Sequence, residues 1–149
     1  MRDADAFAGS AFLGLARDAK RDPYRFSLFA RHLDADETPL VFVTIHGGTL
    51  IVTDRRVLEF RPHLETHGAW NVKTFVGYEI ARSLDRGSVA DVAHEVRPAA
   101  DGRGGVEDRL VLSTADGHEE VLVSKGPEPT LRPQEFDTLR QAVLESQAK

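Results

Sequence analysis

The side chains best suited to chemistry are three of the six histidines, a group of arginines and the single tryptophan of a 149-residue chain. His63 and His67 stand four apart with Glu65 between them. On a helix that spacing would bring two imidazoles and a carboxylate to one metal ion. Pro62 and Gly68 flank the segment, so a solvated loop is expected and no metal ligands are assigned. An enzyme or metal-binding protein using the His63/His67 region stays open as an alternative. His94 falls on the otherwise apolar side of a candidate strand. That suits a core histidine bonded to a backbone carbonyl better than a catalytic base. Ser10, Ser83, Ser88, Ser113 and Ser124 all lack a Gly-x-Ser-x-Gly elbow. The glycine-rich stretch from Gly102 to Gly105 is followed by neither Lys-Ser/Thr nor a helix start, so it does not match a phosphate cradle. No catalytic residue and no cofactor is therefore expected.

Arg55, Arg56 and Arg61 are the candidates for an anion or partner contact. Between residues 46 and 75 they and Lys73 face Asp54, Glu59 and Glu65, four cations against three carboxylates. Recognition of a polyanion needs several converging cations, so membrane lipid is not an expected partner. The whole chain carries 19 Lys+Arg and 24 Asp+Glu, a formal charge of −5, which argues against a nucleic-acid binder. Trp70 suits either an exposed anchor for a partner or a side chain closing the rim of a barrel. The absence of cysteine removes disulfides and thiolate chemistry. The apolar stretch from Ala6 to Ala16 is too short to cross a bilayer and follows Asp3 and Asp5 rather than a basic start. A cytoplasmic protein is the expectation.

These residues need elements to position them. Phe7, Ala8, Ala11, Phe12, Leu15, Ala16 and Ala19 recur at helical spacing and predict an opening amphipathic helix. Asp22-Pro23 predicts the start of a second helix carrying Tyr24, Phe26, Leu28, Phe29 and Leu33. From Leu40 the period changes. Leu40 to Ile45 and Leu50 to Thr53, joined by His46-Gly47-Gly48, read as a β-hairpin. A third strand is expected from Val57 to Phe60. A fourth alternates Val72, Thr74, Val76, Tyr78 and Ile80 on one side. Residues 88 to 96 fit either a short helix or a strand, and a turn at Ser88 to Asp91 followed by a strand from Val92 to about Arg97 is preferred. Leu110 to Thr114 and Val121 to Val123 form a further hairpin around Ala115-Asp116-Gly117. A final helix from about Pro133 sets Phe136, Leu139, Ala142 and Val143 on one side.

The stretch from Leu50 to Leu58, with Thr53-Asp54-Arg55-Arg56 at its centre, resembles a signature of bacterial pleckstrin-homology-like domains, which are related in shape to GRAM domains. The order of elements is similar over about residues 33 to 146. The resemblance implies an α+β chain: a partly open antiparallel β-barrel of about seven strands capped by the C-terminal helix. That domain would cover residues 37–149, with a helical extension over residues 1–36. It also implies a non-enzymatic scaffold in which the Thr-Asp-Arg-Arg turn is structural, Thr or Asp bonding the turn backbone and one Arg pairing with a carboxylate. The expected function is a binding and assembly module acting through an unknown protein partner and as a homo-oligomer. Phe7, Phe12 and Leu15 are the expected self-association residues. An anionic lipid or phosphate sensor using Arg55, Arg56 and Arg61 is the alternative.

Overall fold

Pro39–Ile45 (β2) and Gly48–Thr53 (β3) pair antiparallel around a turn at His46-Gly47. Gly47 takes a positive φ of 73° there, which costs a glycine nothing. Both strands are nearly continuous apolar runs, and the structure supplies the reason: both of their faces are covered. A computed structural model of the chain describes residues 4–70, 72–99, 102 and 104–144. Among the described residues it is α+β, with two α-helices and eight strands in two sheets that do not close into one barrel.

Ala11–Leu13 (β1), β2, β3, Arg56–His67 (β4) and Val72–Asp85 (β5) form the first sheet in that order. Val89–Pro98 (β6), Val106–Thr114 (β7) and Gly117–Gly126 (β8) form the second, fully antiparallel. One backbone bond, from His46 N to Leu122 O at 3.0 Å, ties β8 to the end of β2. Pro23–Ala30 (α1) lies between β1 and β2, and Pro133–Leu144 (α2) follows β8.

Alternation along the strands sorts the core into two halves. Val41, Val43, Ile45, Leu50, Val52 and Val57 face the second sheet, meeting Leu110, Leu112, Val121 and Val123. Leu139 and Val143 of α2 seal that half. Phe42, Ile51, Leu58 and Phe60 face the other way and pack against Phe7, Phe26 and Phe29. The rings interlock: Phe7 meets Phe42 edge-on at 5.9 Å and Phe29 meets Phe60 at 5.2 Å.

The opening segment departs from the expected amphipathic helix. Two 3-10 turns, Ala4–Phe7 and Gly14–Ala16, flank β1, which pairs parallel with β2 through Ala11 and Val41. Gly9 and Gly14 interrupt any helix, and Gly14 sits at φ 62° against the Val43 side chain. Phe7 is therefore only 2% exposed and belongs to the core of its own chain, with Phe12 packed against it. Leu15 alone of the three faces outward. Within residues 4–36, the 3-10 turns, β1 and α1 are thus built into the sheet packing.

Asp22 caps α1 as expected, its carboxylate accepting from Tyr24 N at 3.1 Å, with Pro23 at the first helical position. Tyr24 is exposed, whereas Phe26, Leu28, Phe29 and Leu33 are buried. The stretch expected as a loop, Pro62 to Gly68, is strand as far as His67. Its partner β5 supplies the reason: twelve residues of β4 find antiparallel partners, from Arg56↔Asp85 to His67↔Val72. Register shifts at Glu59/Phe60 and His63/Leu64 interrupt the alternation expected along β5, so Val76 is exposed rather than facing inward with Tyr78. Residues 89 to 98 are strand, entered from a 3-10 turn at Arg86–Ser88.

Candidate functional site

The Thr-Asp-Arg-Arg stretch is a tight connection between β3 and β4. Thr53 donates from Oγ1 to Glu37 Oε2 at 2.6 Å and accepts from Arg55 N and Arg56 N at 3.1 and 2.9 Å. Asp54 locks the turn from the other side: Oδ1 accepts from Thr38 N, and its own N–H donates to Thr38 O, both at 2.9 Å. Arg56 spans the Glu37 carboxylate and also donates to His32 O at 2.9 Å. Burial alone would raise the Glu37 pKa. The Arg56 guanidinium, the Thr53 hydroxyl and the Asp34 N–H outweigh it and hold the carboxyl at about 2. Each of the four side chains of the motif is thus bonded to backbone or to a carboxylate.

The three candidate anion-binding arginines do not converge. Arg55 pairs with Asp34 and Asp36 at 3.5 and 2.5 Å, and its hydrogen bond to Asp36 raises its pKa. Arg56 belongs to Glu37. Arg61, farther along β4, pairs with Glu59 at 2.5 Å and donates to the His46 carbonyl. Their charge is balanced within the chain; for Arg55 and Arg56 only the fold could reveal it, because Asp34, Asp36 and Glu37 come from the segment before β2.

His63, Glu65 and His67 share one face of β4. Along a strand the Cα atoms of residues four apart are set about 13 Å apart, and both imidazoles lean toward the Glu65 between them. Glu65 lies 3.9 Å from each, and His63 is 3.4 Å from Glu79. Among the described residues no group of three potential ligands is close enough for a metal. His94 bonds through Nε2 to the buried carboxylate of Asp108, rather than to a backbone carbonyl, and stacks on Phe136 at 5.2 Å. Asp108 Oδ2 also accepts from Thr130 N and Leu131 N at 3.2 and 3.1 Å, so the pair fastens the segment leading into α2.

Trp70 is 89% exposed at the tip of the β4–β5 hairpin, so it does not close the rim of a barrel. The outer half of that hairpin is an arm. Leu64, Val72, Phe75 and Val76 are exposed along it, and Leu64 stands opposite Phe75 in register. At the base of the arm lies an open cavity of about 420 Å³ between Arg25, Thr49, Pro62, Phe75 and Tyr78. Sequence reasoning missed Arg25, because its neighbours come from four separate segments. No helix among the described residues is long and apolar enough to cross a membrane.

Comparison with family models finds no match, and neither curated proteins nor solved structures yield one.

Proposed function

We infer that this chain is a non-enzymatic binding and assembly module of pleckstrin-homology-like kind, and that the β4–β5 arm joins it to a second copy. One observation carries the reading. Of the eight large apolar side chains exposed among the described residues, five (Leu64, Trp70, Val72, Phe75 and Val76) lie on the arm. An exposed apolar patch of that kind marks an interaction surface. β5 is also the terminal strand of its sheet, so its outer edge offers backbone donors and acceptors to an identical edge. The element order and the packing of Leu139 and Val143 support the barrel-and-helix resemblance. The histidines are scattered, His63 and His67 on the arm and His94 beside α2, which favours assembly over catalysis.

Trp70 is the sole tryptophan, so its emission reports the arm directly. Light scattering and tryptophan emission are read together over a concentration series. The expected result is a dimer forming with a blue shift, both abolished by Leu64→Ser with Phe75→Ser, which keep the tryptophan, at an unfolding midpoint unchanged at concentrations where the chain is monomeric. A chain that stays monomeric at every concentration, or a dimer indifferent to both substitutions, overturns the reading.

A further inference from the structure

Arg25 projects from α1 into the cavity at the base of the arm. Its Nε donates to the Tyr78 hydroxyl at 2.7 Å, and its Nη2 reaches the Thr49 hydroxyl only at 3.5 Å. Half-buried, it makes no ion pair among the described residues, unlike Arg55, Arg56 and Arg61. The guanidinium lies within 6 Å of the Phe29, Phe42 and Tyr78 rings, which hold it in place through their faces. Nε is thus committed, whereas along the Nη edge the described residues supply only the long 3.5 Å contact to Thr49; that edge is the fork that a carboxylate engages with two parallel hydrogen bonds. The walls around that edge are apolar and flat. Phe75 meets Tyr78 edge-on at 5.1 Å, with Pro62 beside them.

We propose that this cavity binds a small-molecule monocarboxylate with a flat apolar body, its carboxylate on Arg25 and its body against Phe75 and Pro62. Charge sets the class. The lining holds one cation and no carboxylate, which balances a single negative charge, whereas a phosphate calls for several cations. Size agrees, since about 420 Å³ falls within the range of small-molecule pockets. The site goes beyond the proposed assembly role and does not depend on it.

The probe is 3-phenylpropionate, titrated into the isotope-labelled full chain and followed by amide and guanidinium proton–nitrogen spectra. Its amide, 3-phenylpropionamide, has the same body without the charge. The acid should shift the Arg25 Nε signal and the backbone signals of Gly48, Thr49 and Phe75, with the amide at least about tenfold weaker. Arg25→Gln should lose the same factor, and Arg25→Lys should recover part of it. Trp70→Ser, which alters the arm tip alone, should bind the acid as the unaltered chain does, so a failed assembly role leaves this result readable. Equal response to acid and amide, shifts confined to other residues, no shift, or an equal response to inorganic phosphate would each overturn the proposal. The acid–amide comparison needs no substitution, so it holds even if Arg25→Gln fails to fold.

Discussion

Arg56 holds the fully buried carboxylate of Glu37 with two hydrogen bonds, Nε to Oε2 at 3.0 Å and Nη2 to Oε1 at 2.6 Å. This pair joins the segment before β2 to the start of β4, 19 residues apart in sequence. Removing one partner strands the other in the core. Glu37→Gln or Arg56→Met should therefore each cost about 3 kcal/mol of stability, while the double replacement should cost less than the two together. Denaturant unfolding of the four proteins measures the coupling.

The same pair sets an acid dependence. Glu37 has a folded pKa of about 2 against an ordinary value of 4.5. A depressed carboxyl contributes its stability above the unfolded value and loses it as pH falls through the folded one. Unfolding free energy should thus decline between about pH 4.5 and 2, and Glu37→Gln should flatten that part of the profile. An unchanged slope would count against the assignment.

Thr53 is the hub of the turn, donating to Glu37 and accepting from two backbone N–H groups. Thr53→Val keeps the shape and loses all three bonds, so a destabilisation of about 2 kcal/mol is expected. Thr53→Ser retains the hydroxyl and should recover most of it. Thermal unfolding of both variants separates a hydroxyl role from a packing role.

Gly48 leaves no room for a side chain: a Cβ there would stand 2.3 Å from the Phe60 carbonyl oxygen. Gly48→Ala must push β3 from β4 and should cost about 1–3 kcal/mol. Gly87, whose Cβ would meet nothing within 4 Å, is the control, and Gly87→Ala should be close to neutral by the same measurement.

Phe7 tests the role of the opening segment. It is buried against Phe26 and Phe42 at ring distances of 5.3 and 5.9 Å. Phe7→Ala should cost about 3–5 kcal/mol, whereas the exposed Leu15→Ala should cost under about 0.5 kcal/mol. Loss of stability at position 7, measured by unfolding at fixed concentration, would assign this segment to the chain's own core. A stable Phe7→Ala chain with altered mass would return it to self-association.

Much of the fold follows from local pattern. The Asp22-Pro23 helix start, the hairpin around Gly47, the strands leading to Thr114 and Val123, and the apolar face of α2 all rest on side-chain period or turn chemistry, which act over a few residues. The structural reading of Thr53-Asp54-Arg55-Arg56 rests partly on the same ground, because Thr53 bonds backbone two and three positions on, whereas Asp54 finds its backbone partner at Thr38, 16 residues upstream. Tertiary pairing decided the rest. Ala11 to Leu13 has a helical period in sequence, yet β2 offers it a strand edge, and Gly9 and Gly14 remove the competing helix. Pro62 to His67 has the composition of a loop, yet β5 pairs it to the end. Arg55 and Arg56 looked free because their carboxylates, Asp34, Asp36 and Glu37, lie about 20 residues upstream, and ion pairing is a matter of angstroms rather than sequence distance; Arg61 pairs within its own strand, with Glu59. Arg25 acquired its setting for the same reason: α1, β3, β4 and β5 meet around it only when the sheet has formed.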